Sequence, residues 1–139
     1  MSKAHVQGME GYRALYSRAA EDPGQFWGEL AEQELAWFRK PERVMDWDNA
    51  PFAKWFTGGV TNVCFNCVDR HAEGERAGKV AILWEGEPGD QRAITFAELH
   101  TLVQRFANVL KTRGLKSGDR AIIYMPMVPE AAIAMLACA

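Results

Sequence analysis

The chain of 139 residues is about the length of one small domain, and its hydrophobic fraction of 48% and charged fraction of 24% are ordinary for a globular protein. A net charge of -2, with scattered Lys and Arg, argues against nucleic acid or an anionic membrane as a partner. The sequence has no apolar run of transmembrane length and no signal-peptide core at its start. Three cysteines, an odd number, argue against a disulfide framework and predict a cytoplasmic location.

Two helices are predicted near the N-terminus, after a loose leader over residues 1–9. Apolar residues at spacings of three and four predict the first helix over residues 12–20. Asp22 and Pro23 then form a helix start signal, because Asp caps helices and Pro suits the first helical position. The second helix is rich in aromatic residues and is expected to end at Pro41, which has no N–H group to donate.

Residues 41–61 hold prolines and glycines among large aromatic side chains, namely Trp47, Phe52, Trp55 and Phe56. Because a disordered linker is poor in such side chains, we predict an extended arm whose aromatics lie on a neighbouring surface. A binding surface for a partner is the alternative interpretation. We therefore expect a helical leader and extended arm over residues 1–61, and the start of an α/β domain over residues 62–139.

The second region is predicted to begin with a short helix and a hairpin. Thr61 or Asn62 is a suitable cap for a helix over residues 63–72. Alternation along residues 80–85 predicts a strand, and a short return strand over residues 93–96 would complete the hairpin.

A long amphipathic helix is predicted next. Thr95 and Glu98 have the spacing of a capping box, and Gly114 is expected to stop the helix. The apolar stripe between them is expected to pack on neighbouring strands. It consists of Leu99, Leu102, Val103, Phe106, Ala107, Val109 and Leu110.

The apolar run at residues 120–125 predicts a short buried strand. Pro129 fits the first turn of a final helix that has no polar face, so this helix is expected to be buried all round. With the strand at residues 80–85 and the long helix, the run would form a parallel, right-handed βαβ unit, the start of an α/β domain. The final helix has no capping residue at Ala139, so we expect a longer protein of which this is the front part.

The most promising cluster for chemistry is Cys64, Cys67 and His71, which one helix could present on one side. Three such ligands and a water would suit a catalytic zinc ion. No fourth protein ligand is evident, because His5 and His100 lie in unrelated sequence contexts. No strand precedes the cysteines, as it would in a thioredoxin-like motif. We therefore interpret them as small buried residues that bind no metal.

Three other patterns carry weaker signals. Gly58-Gly59 lacks the strand and the Lys-Ser/Thr pair of a phosphate loop, so a tight turn is predicted. Asp69-Arg70-His71 is contiguous on one predicted helix and cannot converge as a catalytic triad. Asp46 and Asp48 could act together on a metal or a proton, but no third group accompanies them.

Several blocks of the sequence resemble the short-chain acyl-CoA synthetases of the adenylate-forming superfamily. The resemblance covers residues 12–139, in the order that the family shows. The blocks are YRALYSRAAEDPGQFW from Tyr12, KWFTGG from Lys54, Thr61-Asn62, NCVDRH from Asn66, ILWEG from Ile82 and YMPMVPEA from Tyr124.

The resemblance implies a two-step ligase reaction and is strongest for the members that activate acetate. Acetate attacks the α-phosphate of ATP to give acetyl-adenylate and pyrophosphate, and coenzyme A then displaces AMP to give acetyl-CoA. The implied substrates and cofactors are acetate, ATP, coenzyme A and Mg²⁺. The family's Ser/Thr/Gly-rich loop with its lysine, its catalytic C-terminal lysine and its acyl pocket do not occur in this sequence.

The sequence therefore assigns no catalytic, cofactor-binding or metal-binding residue to this chain, and the chain alone is expected to be inactive. Its expected partner is the remainder of the same protein. Members that act on propionate or acetoacetate remain alternatives, because the segment that selects acyl size is absent. A non-catalytic interaction module, binding through residues 41–61, is the alternative from outside the enzyme class.

Overall fold

The computed structural model describes residues 6–139, which fall into two compact units with a boundary between Thr61 and Asn62. The first five residues of the predicted leader, with His5, lie outside the described residues. The chain combines helices with two small antiparallel sheets, so the expected mixed α/β class is confirmed. No helix in the described part is both long enough and apolar enough to cross a membrane.

Two helices open the first unit: α1 over Gly8–Glu21 and α2 over Pro23–Glu34. The carboxylate of Asp22 accepts a hydrogen bond from the backbone N–H of Gln25 at 2.8 Å, so the predicted cap is confirmed. Helix α1 buries none of its side chains. Its apolar stripe therefore contributes little to a core.

Helix α2 ends at Glu34, and the prediction that it runs to Pro41 is wrong. Leu35 already has an extended backbone, with φ -104° and ψ 137°. Further on, Arg39 and Val60 exchange backbone hydrogen bonds of 3.2 and 2.9 Å. Because this pairing requires an extended chain, it overrides the helical pattern of the aromatic residues.

The predicted extended arm is a β-hairpin. Strands β1 (Arg43–Asp46) and β2 (Lys54–Thr57) pair antiparallel. The Phe56 ring packs beside that of Trp37, with centroids 5.6 Å apart. Three other aromatic side chains of this segment are exposed in the structure, so their packing on a neighbouring surface stays a prediction: Trp47, Phe52 and Trp55.

The second unit begins with a helical segment that contains a π-turn over Phe65–Asp69, followed by the short helix α3 over Arg70–Ala72. The Asn62 side-chain oxygen accepts a hydrogen bond from the Phe65 N–H at 3.0 Å, so Asn62 is the cap. The π-turn was not expected, since such wider turns have no simple sequence signature. It changes which side chains of this segment face the core.

The hairpin and the long helix lie where they were predicted. Strands β3 (Val80–Glu85) and β4 (Gln91–Thr95) pair antiparallel, and α4 covers Phe96–Thr112. Both bonds of the capping box are present: Glu98 N–H donates to Thr95 Oγ1 at 3.3 Å, and Thr95 N–H donates to Glu98 Oε2 at 2.8 Å.

Gly114 stops α4, as predicted. Its φ of +89° is a left-handed conformation that glycine adopts without strain. Its N–H donates to the carbonyl of Lys111 at 2.9 Å, and the next N–H, that of Leu115, donates to Leu110 at 3.1 Å. This pair of bonds is the Schellman arrangement.

The core of the second unit lies where α4 meets the hairpin, the π-turn and the last helix. Part of the predicted stripe reaches it, while Val109 is exposed. The buried cluster consists of Cys64, Val68, Ile94, Leu99, Val103 and Ile133, with Leu102 and Phe106 packed against it.

Residues 120–125 do not form a strand, so the predicted parallel pairing with β3 is absent from the described residues. Ile122 and Tyr124 are 95% and 99% exposed, and the predicted packing of the α4 stripe around Ile122 is therefore wrong. A strand needs a neighbour to pair with its N–H and C=O groups. The apolar run is present, but among the described residues no strand pairs with it.

The last helix, α5, covers Pro129–Cys138 and begins at the predicted proline. Ile133 and Ala134 are buried against the unit, but Met135 is 64% exposed. Within the described residues only one side of the helix is packed, and the prediction of burial all round, which needs cover from a longer protein, stays a prediction.

Candidate functional site

The predicted cysteine–histidine cluster is not one surface. Cys64 is buried in the core, whereas Cys67 is exposed. The His71 ring packs beside the Phe96 ring, with centroids 5.2 Å apart. Because the π-turn separates Cys64 from Cys67 around the helix axis, the assumption that one helix face carries all three side chains fails.

The electrostatic surroundings make Cys64 a weak nucleophile. Burial raises the pKa of its thiol to about 11, with further contributions from the Asp69 carboxylate and from Cys67. Burial also lowers the pKa of His71, and the positive charges of Arg70 and Arg76 lower it further. A protonated thiol and a neutral imidazole in separate surroundings form no nucleophile–base pair.

The structure brings together a polar cluster that the sequence patterns did not predict. The Cys64 thiol donates to Asp69 Oδ1 at 3.9 Å, and His100 Nε2 lies 3.4 Å from the same oxygen. Gln104, one turn further along α4, has its Nε2 2.9 Å from His100 Nε2. The i, i+4 spacing of His100 and Gln104 was the available signal, but their link to Asp69 depends on how the π-turn packs on α4.

This cluster connects two elements and offers little for catalysis. Asp69 accepts from a thiol and faces an imidazole, so its oxygen is already engaged. Among residues 6–139, no group of three or more His, Cys, Asp or Glu side chains is arranged to hold a metal ion. These side chains therefore do not fit a magnesium site.

The Asp46 and Asp48 carboxylates are engaged by Arg43. Its Nη1 and Nη2 donate to Asp48 at 2.6 and 3.0 Å, and Nη1 lies 3.4 Å from Asp46. The Arg43 hydrogen bonds hold the pKa of Asp48 below its ordinary value. Arg43 and Asp48 form a bidentate ion pair next to a hairpin turn. The carboxylates therefore have a structural role.

The Gly58-Gly59 pair forms a turn, as predicted. Gly58 has φ +76°, and the Gly59 N–H donates to the Phe56 carbonyl at 3.0 Å. A Cβ on Gly59 would lie 2.8 Å from the Trp37 ring, and one on Gly58 would lie 3.0 Å from the Glu42 carboxyl carbon. The space that a phosphate would need is filled by a ring and a carboxylate.

Comparison with known proteins supplies what the site geometry does not. The sequence model of the acetyl-coenzyme A synthetase N-terminus matches residues 12–67, and that of the AMP-binding enzymes matches residues 68–139. The two matches meet inside the π-turn.

Similar curated proteins include the acetyl-coenzyme A synthetases of Chlorobaculum tepidum, Alcanivorax borkumensis and Helicobacter pylori strain P12. Their identities to this chain are 54%, 51% and 49%, each over 99% of the chain. The chain spans about a fifth of the length of these relatives, 21% in each case. The chain therefore belongs to the family of AMP-binding enzymes, and its first part is of the acetyl-coenzyme A synthetase N-terminal type.

Proposed function

We propose that this chain is the N-terminal part of an AMP-forming acetate–CoA ligase. In the complete enzyme, an acetate oxygen attacks the α-phosphorus of ATP, and the bond to the β-phosphate breaks to release pyrophosphate. The thiol of coenzyme A, giving up its proton, then attacks the acetyl carbon, and AMP leaves. The observation that carries the proposal is the 54% identity to an acetyl-coenzyme A synthetase over 99% of this chain.

Within that enzyme, the 139 residues act as a scaffold. Adenylation requires backbone amides and cations around the phosphates, usually with Mg²⁺. Neighbouring side chains occupy the space beside the glycine pair at residues 58–59. The described residues also include no group of side chains arranged to bind a metal ion. We expect ATP, Mg²⁺, acetate and coenzyme A to be bound by residues outside this chain.

The cytoplasm is the proposed location. Cys64, Cys67 and Cys138 are all free thiols. Free thiols, two of them exposed, are stable in a reducing compartment. A ligase that consumes ATP and coenzyme A would find both substrates there.

The proposal is tested by grafting this chain onto a relative. The matched part of the Chlorobaculum tepidum acetyl-coenzyme A synthetase is replaced by the present 139 residues, and acetate-dependent exchange of pyrophosphate into ATP is measured. We expect exchange within about tenfold of the unaltered relative, a change of about 1.4 kcal/mol in the barrier. The relative without its matched part is the control and should be inactive.

Two outcomes would contradict the proposal. A folded graft with no exchange above the truncated control would mean that this chain cannot serve as the N-terminal part of such an enzyme. Acetate-dependent exchange by the isolated chain would contradict the scaffold role.

A further inference from the structure

Two cross-strand neighbours in the hairpin reach the same turn. Trp84 on β3 lies directly opposite Arg92 on β4. The Trp84 indole Nε1–H donates to the carbonyl of Met127 at 2.7 Å. Arg92 Nη1 donates to Glu130 Oε1 at 2.6 Å. The two acceptors lie three residues apart, on either side of the point where α5 begins.

The Trp84 ring is held in place by the hairpin itself. A Cβ built on Gly86 would lie 2.7 Å from the indole Cη2, so the ring lies against that glycine. The Gly86 N–H donates to the Asp90 carbonyl at 2.8 Å, which closes the hairpin turn below the ring. The indole therefore presents its N–H from a fixed position.

The turn that these side chains reach has further support of its own, because Pro129 within it is buried. Within it, the Val128 N–H donates to Pro126 at 2.8 Å, and the Ala131 N–H donates to Val128 at 3.0 Å. Beyond it, α5 is anchored by the buried side chain of Ile133. Before it, Ile122 and Tyr124 are almost fully exposed. The turn is therefore the first part of the chain after residues 120–125 that is held by contacts with the rest of the unit.

We propose that Trp84 and Arg92 form a clamp on the turn at residues 126–130, and that this clamp fixes the direction in which residues 120–125 enter α5. The clamp acts on one backbone carbonyl and one carboxylate, so either contact can be removed alone. The inference concerns the conformation of this chain and does not rest on the proposed ligase function.

The two contacts differ in their expected contributions. The indole hydrogen bond is neutral, but its donor is held by the packing of the ring. The ion pair joins two side chains that are about half exposed, so solvent screens it. We therefore expect the loss of the indole N–H to loosen the turn more than the loss of the guanidinium.

Native-state hydrogen exchange of the 139-residue chain, followed by mass spectrometry at a concentration where light scattering shows a monomer, tests the clamp. The readouts are the amides of Val128 and Ala131, with the interior amides of α4 as the reference for global opening. Trp84→Phe keeps an aromatic ring and removes the N–H. We expect the two turn amides to exchange about fivefold to tenfold faster, the effect of one lost hydrogen bond, with the α4 amides unchanged.

Variants of Arg92 and a matched control complete the test. Arg92→Met keeps the length of the side chain and should speed the same amides by about twofold, whereas Arg92→Lys should restore part of the protection. Leu83→Thr is the control, because Leu83 lies on the same strand and is 77% exposed. It should leave the turn amides unchanged.

Either of two results would overturn the proposal. Turn amides in Trp84→Phe that exchange as in Leu83→Thr would show that the indole hydrogen bond does not hold the turn. Equal acceleration of the α4 amides would show that Trp84 stabilises the whole unit and has no separate effect on the turn.

Discussion

His100 Nε2 lies 3.4 Å from Asp69 Oδ1, so helix α4 and the π-turn meet through an imidazole and a carboxylate. The same Asp69 oxygen accepts from the buried Cys64 thiol. One carboxylate therefore connects the core thiol with the more exposed edge of α4. This arrangement gives Cys64 surroundings that differ from those of the exposed Cys67 and Cys138.

We predict that Cys64 reacts far more slowly than Cys67 and Cys138 with a disulfide reagent at about pH 8. The pKa of its thiol is raised to about 11, so only about one molecule in a thousand carries the thiolate at that pH. Counting thiols with Ellman's reagent should give two fast groups and one that is at least about a hundredfold slower.

Asp69→Asn is the matched variant for this prediction. It removes a negative charge that raises the Cys64 pKa but leaves the burial, so the slow thiol should become somewhat faster and stay the slowest. Three equally fast thiols in the folded, unmodified chain would contradict the burial of Cys64.

Only the buried side chains of the apolar stripe on α4 should contribute to the free energy of unfolding. Leu99 is buried in the core, whereas Val109, on the same helix, is exposed. We predict that Leu99→Ala lowers the free energy of unfolding by about 2–5 kcal/mol, and that Val109→Ala changes it by less than about 0.5 kcal/mol. Urea unfolding followed by far-UV circular dichroism measures both. Similar losses in the two variants would mean that the buried face of α4 is assigned incorrectly.

The capping box of α4 gives a prediction for stability and pH. Thr95→Ala should lower the free energy of unfolding by about 1 kcal/mol, since a lost cap leaves N–H groups unpaired. Thr95→Ser keeps the acceptor and is the control.

The Thr95 backbone and side-chain hydrogen bonds hold the pKa of Glu98 below its ordinary value of 4.5. The folded pKa is thus lower than the unfolded one. This stabilisation is present above the unfolded pKa and is lost as pH falls through the folded pKa. Glu98→Gln should weaken this acid-side dependence, and an unchanged pH profile in that variant would contradict the hydrogen-bonded carboxylate.

The exposed apolar segment should make the isolated chain self-associate. Ile122 and Tyr124 are almost fully exposed to solvent. An exposed apolar segment that pairs with no strand promotes association between copies of the chain. Light scattering at micromolar concentration should show that the average particle mass increases, and Ile122→Lys and Tyr124→Lys should reduce this increase. Leu83→Lys adds the same charge to another exposed position and should have a smaller effect. A clean monomer that melts cooperatively above about 55 °C, within the ordinary range for domains, would contradict the prediction.

Local signals identified most elements correctly because their causes are local. The Asp22 cap, the Thr95–Glu98 box and the left-handed Gly114 depend on a few adjacent residues. Elements whose cause is distant in the sequence were predicted incorrectly. The apolar run at residues 120–125 has a strand pattern, but its pairing depends on distant parts of the chain, and in the described residues it pairs with neither β3 nor β4.

The candidate site was predictable only in part, for a similar reason. The turn at Gly58-Gly59 follows from its residues, whereas the contact between Asp69 and His100 joins residues 31 positions apart. The π-turn determines that contact, and no spacing rule predicts a π-turn. The family, in contrast, was identified from short blocks distributed along the chain, and the comparisons confirm it.

Sequencing the coding DNA beyond the codon of Ala139 tests the central claim most directly. If the chain is the N-terminal part of an acetate–CoA ligase, the reading frame continues for about four times the present length, because this chain spans 21% of its relatives. It should encode further strand–helix units and a Ser/Thr/Gly-rich loop followed by lysine. A stop codon directly after Ala139, or a continuation without such a loop, would contradict the proposed function.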